Sequence, residues 1–334
     1  MINVASLILT RKCNLNCEYC RIGGDTDYLL LPREYPRSSY YYNNEKTPEF
    51  WVDVIDRLRR HNKDIFFILF GGEPFMYPYL DDIVREMNFM GCYYTIISNC
   101  TMLEEIKKFF DDVGGVMGFT ASIDPGFWID ENRGHETTKS IAGFEVLKYL
   151  IEKNMVSDPV AEVVVDNDNI IYLEDTIKKL SDAGITSSIS TLDIAKNNYY
   201  DFSNITVTDQ LVTKSDYTKK VFDNLMNSNY KIHMKEILPK IYNILPADLD
   251  CEIDKNLHNI TIDSDGFLRT CLRIRGREVS KIDAQLLFDK NGNWNNLEEI
   301  MDRYKQDKQT LCRGCSWTCP IMTKIDDSEK IKNH

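Results

Sequence analysis

Short apolar segments alternate with amphipathic ones over the first 190 or so residues, and this alternation constrains the fold more than any other feature of the chain. Six segments read as strands, and most are rich in branched or aromatic residues, as the strands of a parallel sheet are: 4–9, 64–70, 93–98, 116–123, 160–165 and 185–189. Helical patterns lie between them at 48–60, 79–90, 103–111, 137–153 and 170–183. One helix in each gap predicts a parallel sheet with its helices outside. Six units are too few for a closed eight-stranded barrel, so we predict an α/β fold with an open or partial barrel.

Polar or glycine-rich sequence follows each predicted strand. In chain order these ends read TRKCNLNCEYC, FGGEP, SNC, SID, VDNDN and STLD. Because folds of this class carry their chemistry at the carboxyl ends of the strands, we expect the functional site at that end of the sheet.

Three stretches fall outside the alternation. Residues 22–47 read as a long loop after the first strand, and either an active-site cover or a surface excursion fits them. We predict a barrel domain over residues 1–195, a bridging helical region over 196–249 and a small domain over 250–334. The last region has few large apolar runs and five cysteines, so a metal would stabilise it.

The composition is that of a globular protein, with 43% hydrophobic and 28% charged residues. The chain has no apolar run near the roughly 20 residues that cross a bilayer, and its start lacks the pattern of a secretory signal. These features predict a cytoplasmic protein with no membrane partner. The net charge of −12 disfavours duplex nucleic acid as a partner.

The cysteines fall into two groups, which indicates metal rather than disulfides in a reducing compartment. Eight of the ten are clustered: Cys13, Cys17 and Cys20, then Cys251, Cys271, Cys312, Cys315 and Cys319. The other two, Cys92 and Cys100, are expected to be buried thiols. Three thiolates leave one iron of a cubane cluster without a protein ligand, and an open position of that kind serves catalysis. The alternative for the first group is a zinc site with a fourth ligand from elsewhere.

The array C-x3-C-x2-C at Cys13, Cys17 and Cys20, with Tyr19 before the last cysteine, resembles the signature of the radical S-adenosylmethionine (radical SAM) superfamily. The family carries this array after the first strand of a β/α region, as here. The resemblance implies that the three cysteines bind a [4Fe-4S] cluster whose open iron chelates SAM. It further implies that SAM is cleaved reductively to a 5′-deoxyadenosyl radical, which takes a hydrogen atom from the substrate.

The turn FGGEP, with Gly71, Gly72 and Glu73, resembles the GGEP turn of that family. There the glycines let the backbone approach the methionyl ammonium of SAM closely, and Glu73 can pair with that charge. The segment ISNC is similar to the Ser/Thr-Asn-Gly of the family, which makes Asn99 a possible contact to the ribose or methionine. Cys100 stands where the family usually has glycine.

SID with Ser122, and DENRG with Arg133, resemble the segment that grips the carboxylate of SAM. Arginine suits a carboxylate because its planar fork can bond both oxygens. The alternative for Arg133 is a surface residue at the start of a helix. No residue is assigned as a catalytic base.

The second cysteine group resembles the auxiliary-cluster region of SPASM/Twitch radical SAM enzymes. Its ITIDSDGFLRTC stretch predicts a hairpin that turns at Asp-Gly and returns to Cys271. Five cysteines suffice for one auxiliary [4Fe-4S] cluster, which fits the shorter Twitch type. Cys251, Cys271 and Cys312 are the firmer ligands, and Cys315 is favoured over Cys319 for the fourth place. A zinc ribbon is the alternative.

These observations predict an oxidoreductase of the SPASM/Twitch radical SAM type that modifies a peptide side chain. Dehydrogenation of a small sugar-like alcohol and modification of a nucleotide stay open, as does a metal-stabilised binding protein without enzymatic activity. No leader-peptide recognition domain is visible ahead of Val4, which keeps small-molecule oxidation close behind the peptide. The resemblance also implies a reductant such as flavodoxin or ferredoxin as a partner.

Overall fold

A computed structural model describes residues 2–15, 17, 44–128, 135–191, 212–244, 259–269 and 282–311. The strands are β1 (Val4–Thr10), β2 (Phe66–Gly71), β3 (Tyr93–Ser98), β4 (Val116–Ser122), β5 (Val156–Val165), β6 (Thr186–Thr191), β7 (Asn259–Ile262), β8 (Phe267–Arg269) and β9 (Ile282–Asp283). The α-helices are α1 (Pro48–His61), α2 (Leu80–Met90), α3 (Leu103–Val113), α4 (His135–Glu152), α5 (Leu173–Asp182), α6 (Asp216–Asn227), α7 (Leu238–Ile244) and α8 (Leu297–Leu311).

The strands form one nine-stranded sheet in the order β6-β5-β4-β3-β2-β1-β7-β8-β9. The six predicted strands are all present and pair in parallel with their neighbours. This confirms the predicted α/β fold with a parallel sheet and a partial barrel. Among the described residues, no helix is long and apolar enough to cross a bilayer.

Alternate residues of a strand point to opposite faces of the sheet, so the residues that a helix contacts identify the face it covers. A Cβ added to Gly143 of α4 would lie 3.2 Å from side-chain carbons of Ala121 and Ile123. Helix α4 therefore packs on the face of β4 that carries these two residues, and Ser122 points to the opposite face. We call that opposite face the open face. On the helix side, α1 contributes the fully buried Trp51 and Ile55 to the core.

Strand β5 begins at Val156, four residues before the predicted start at residue 160. Asp158 and Pro159 disfavour a strand, and proline lacks the N–H that a ladder needs. The structure accommodates them because β5 pairs with β6 only from Val160 onward. The first part of β5, residues 156–159, therefore pairs with β4 alone. The helix predicted over 170–183 is a 3₁₀ turn, Ile170–Tyr172, followed by α5.

The predicted hairpin is confirmed: β7 and β8 pair antiparallel around a turn in which Gly266 has a φ of +82°. Strand β7 also pairs in parallel with β1, which the sequence did not indicate. The hairpin therefore continues the sheet of the barrel. The predicted domain boundaries at residues 195 and 249 lie outside the described residues and stay predictions.

Candidate active site

The FGGEP turn packs directly against the start of the cysteine loop. The amide of Gly72 donates to the carbonyl of Thr10 at 2.8 Å, and the amide of Glu73 donates to the carbonyl of Lys12 at 2.7 Å. A Cβ added to Gly71 would lie 2.2 Å from the carbonyl oxygen of Thr10. A Cβ added to Gly72 would lie 2.1 Å from the carbonyl oxygen of Lys12. Both glycines are therefore needed for the approach of two backbone segments, a reason that is independent of any ligand.

Glu73 joins the end of β2 to the end of β3. Its side chain is fully buried and accepts hydrogen bonds from the Ser98 hydroxyl at 2.9 Å, the Asn99 amide at 2.8 Å and the Phe75 amide at 3.2 Å. Burial raises the pKa of Glu73 to about 7, although these three donors each lower it. The side chain of Glu73 thus holds the ends of β2 and β3 in a fixed relation. Its contact with SAM stays a prediction.

Asn99 connects the end of β3 to the cysteine loop. Its Nδ2 lies 3.0 Å from Asn14 Oδ1 and 3.7 Å from Cys13 Sγ. Its Oδ1 accepts from the amide and hydroxyl of Thr101, and Asn14 Nδ2 in turn donates to that hydroxyl. The predicted SAM contact is therefore also a hydrogen-bond donor beside the first cysteine.

Cys100 occupies a left-handed backbone conformation, with a φ of +60°. Glycine adopts this conformation without strain, which agrees with the glycine that the resemblance leads one to expect at this position. The thiol is fully buried, and burial raises its pKa well above the usual range. Cys92 is buried as well, so the expectation of two buried thiols is confirmed.

Cys13 and Cys17 are half-buried thiols at the carboxyl end of β1. The Sγ of Cys13 accepts from the Leu15 amide at 3.4 Å, so two N–H groups point to this sulfur. The third predicted ligand, Cys20, lies outside the described residues. Within those residues, no three potential metal ligands come together.

Ser122 is the last residue of β4 and lies on the open face of the sheet. Its strand neighbour in β5 is Glu162. Two residues further along, Asp124 pairs with the buried Lys139 of α4 at 2.7 Å, which ties the loop after β4 to that helix. The predicted partners Tyr19 and Arg133 lie outside the described residues.

The sequence matches the radical SAM superfamily over residues 7–202, more than half of the chain. The chain belongs to the radical SAM superfamily. That family uses SAM and a [4Fe-4S] cluster, as the cysteine array implied.

Two curated relatives of this radical SAM protein match parts of it. One is an S-adenosylmethionine-dependent nucleotide dehydratase from a Thermoplasmatales archaeon (strain ISO4-H5), 30% identical over 101 residues, 30% of each chain. The other is the radical SAM cyclopropyl synthase TigE of Paramaledivibacter caminithermalis, 24% identical over 217 residues, 60% of this chain and 39% of TigE. The matches thus span 30% and 39% of the length of these relatives.

A solved structure with a similar fold is that of SuiB from Streptococcus suis bound to S-adenosylmethionine. The TM-score is 0.57 at 14% identity, covering 85% of this chain and 63% of SuiB. A second structure of SuiB, bound to its precursor peptide SuiA, gives the same TM-score. At this identity the likeness shows the fold.

The residues at the end of β1 suit an iron–sulfur cluster. Cysteine thiolates are the usual ligands of such clusters, and hydrogen bonds to their sulfurs tune the reduction potential. Cys13 has two such donors, one of them from Asn99. The predicted auxiliary ligands, Cys251, Cys271, Cys312, Cys315 and Cys319, all lie outside the described residues.

Sequence analysis missed a buried group of four charges between β1 and the hairpin. Arg11 donates to both oxygens of Asp263, at 2.9 and 2.5 Å, and Arg269 donates to Asp263 at 3.0 Å and to Asp265 at 2.5 Å. Arg11 lies two residues before Cys13, and Arg269 lies two residues before Cys271. No local pattern could reveal it, because 252 residues separate Arg11 from Asp263.

Proposed function

We propose that this radical SAM protein is an oxidoreductase of the SPASM/Twitch type that modifies a peptide side chain. The observation that carries the proposal is the contact of three strand ends at one place. The cysteine loop after β1 rests on the FGGEP turn after β2, and Asn99 after β3 reaches Cys13.

In this proposal Cys13, Cys17 and Cys20 hold the cluster. Bound together, the cluster and SAM supply one-electron reductive cleavage of the sulfonium and, from it, hydrogen-atom abstraction. Gly71 and Gly72 bring the backbone of the FGGEP turn against the loop, while Glu73 and Asn99 hold that turn and the end of β3 in position. Tyr19, Ser122 and Arg133 are proposed to contact SAM. A protein such as flavodoxin or ferredoxin would supply the electron.

The auxiliary cluster is the finer part of the proposal. Cys251, Cys271 and Cys312, with Cys315 or Cys319, would hold a second [4Fe-4S] cluster. The pairing of β7 with β1 and the Arg11–Asp263–Arg269 group tie the β7–β8 hairpin, which leads to Cys271 in the sequence, to the strand that leads to Cys13.

A peptide is favoured as substrate because SuiB has been solved with a precursor peptide and has a similar fold over 85% of this chain. A nucleotide is the second candidate, since the match to the nucleotide dehydratase has the higher identity, 30% against 24% for TigE. Dehydrogenation of a small sugar-like alcohol stays a prediction.

Anaerobic purification tests the proposal. The protein should be brown and contain about eight irons per chain if two cubane clusters are present. Reduced with dithionite and given SAM, it should form 5′-deoxyadenosine. Cys17→Ala should abolish this product, while Cys92→Ala, which alters a buried thiol away from the loop, should retain it. A content of about four irons per chain with full cleavage of SAM would refute the auxiliary cluster but not the radical SAM activity. A colourless protein that contains zinc would refute the proposed enzymatic activity.

A further inference from the structure

The open face of the barrel sheet carries a row of polar side chains on β4, β5 and β6. Ser122 pairs with Glu162, and Glu162 pairs with Ser188. Residues paired in register in neighbouring parallel strands point to the same face, so these three side chains lie side by side. They lie at the level of the last residue of β4, at the carboxyl end of the barrel where the cysteine loop begins.

Glu162 is the acidic residue at the centre of this row. The hydroxyl of Ser190, the next open-face residue of β6, donates to Glu162 Oε1. Burial raises the pKa of Glu162, although the hydroxyls of Ser190 and Ser188 lower it. Its neighbours along the chain, Ala161 and Val163, point to the opposite face and are fully buried.

Glu162 has no cationic partner among the described residues. Two acidic residues elsewhere at this end of the sheet pair with cations, Asp263 with Arg11 at 2.5 Å and Asp124 with Lys139 at 2.7 Å. Glu73, in contrast, is held by one hydroxyl and two backbone amides. Carboxylates withdrawn from water are normally paired with a positive charge. The missing partner can come from a molecule that enters the barrel.

The part of the open face formed by β1 and β2 has a different composition. Ile8 of β1 pairs with Phe70 of β2, and Ser6 pairs with Ile68, so that part is largely apolar. Apolar side chains therefore line the open face on β1 and β2, and hydroxyls with one carboxylate line it on β4, β5 and β6. Such a face suits a ligand with an apolar stem and a polar head.

We propose that Glu162 binds a positively charged group of the substrate, an ammonium or a guanidinium, and that Ser188 and Ser190 orient its carboxylate. The inference rests on the proposed function, because it places the substrate in the barrel beside Ser122. A cationic head is preferred to a neutral donor since it supplies the charge that Glu162 lacks.

Matched pairs of small probes test this inference on the anaerobically reconstituted protein with SAM bound. Binding of N-acetyl-arginine amide is compared with that of N-acetyl-citrulline amide, and N-acetyl-lysine amide with its Nε-acetylated form, by saturation-transfer NMR. At least one charged probe should bind about tenfold more tightly than its neutral partner, which corresponds to roughly 1.4 kcal/mol. Glu162→Gln should reduce that preference to less than about twofold. Glu145→Gln, which alters an exposed glutamate of α4, should retain it.

Ser190→Ala is a second variant that keeps the carboxylate, and it should weaken the preference without removing it. The inference is overturned if neither charged probe is preferred, or if Glu162→Gln leaves the preference intact. It is also overturned if Glu162→Gln lowers the affinity for SAM instead, since Glu162 would then be a SAM contact. Failure of the proposed function is a separate result, because it would appear as loss of iron and of 5′-deoxyadenosine in the unaltered protein.

Discussion

Two buried carboxylates at the carboxyl end of the sheet have opposite surroundings. Glu73, after β2, and Asp263, after β7, are both 0% exposed. Glu73 is held by neutral donors only, a hydroxyl and two backbone amides, and burial raises its pKa to about 7. Burial would also raise the pKa of Asp263, but the guanidinium groups of Arg11 and Arg269 hold it well below its usual range.

Burial alone therefore does not decide the charge of a carboxylate, because the charge of its partners can outweigh it. The junction of β2 with β3 depends on close backbone packing and neutral hydrogen bonds. The junction of β1 with the hairpin depends on an ion pair network. The two regions should therefore respond differently to substitution and to pH.

The largest effect is expected from Asp263→Asn. It leaves two buried guanidinium groups without their shared counter-charge, so the free energy of unfolding should fall by about 3–5 kcal/mol in urea denaturation. The stabilisation by Asp263 should be present above its unfolded pKa of about 3.9 and lost as pH falls toward its lower folded value. Asp223→Asn, which alters an exposed pair with Lys219, should cause no measurable change. Equal effects of the two variants would contradict the importance of the buried network.

Gly72→Ala tests the backbone contact at the Glu73 junction. The added Cβ would meet the Lys12 carbonyl, so the cysteine loop must move away from the turn. We expect a loss of about 2–3 kcal/mol of stability, of the size seen on overpacking, together with reduced iron content after reconstitution. Gly91→Ala is the control, because Gly91 has a φ of +64° but no atom within 4 Å of the added Cβ. It should lose only about 1 kcal/mol and keep its iron.

Glu73→Gln should show a pH dependence of opposite sign to that of Asp263→Asn. The stability that Glu73 contributes is fully present below its unfolded pKa near 4.5 and is lost as pH rises toward its folded pKa of about 7. Over this range the unaltered protein should lose about 3 kcal/mol relative to the variant. Denaturation of both proteins at pH 5 and pH 7.5 measures the difference. A constant difference would show that Glu73 is ionised at both pH values.

Cys100→Gly should have the smallest effect. Glycine relieves the left-handed conformation at φ +60° but removes a buried thiol and increases the entropy of the unfolded chain. These contributions oppose each other, so the change in unfolding free energy should stay within about 1 kcal/mol. A much larger loss in thermal denaturation would mean that the Cys100 side chain is essential to packing at this junction.

Local patterns in the sequence determined the elements and the chemistry that they carry. The spacing of Cys13 and Cys17, the FGGEP turn, the alternation of strands and helices, and the Asp-Gly hairpin all depend on residues close together in the chain. Each could be predicted because backbone conformation and ligand spacing are set by near neighbours. The backbone at Cys100 is local as well, since its left-handed φ of +60° occurs where the resemblance leads one to expect glycine.

Contacts between residues far apart in the chain are visible only in the folded protein. The tertiary structure placed β7 beside β1, set Asp263 between Arg11 and Arg269, and turned Glu162 to the open face beside Ser188. A single glutamate within the apolar run VAEVVV was the one signal for the last of these. Such contacts follow from the pairing and burial of the whole sheet, and the free energy of that assembly is not encoded in any short segment.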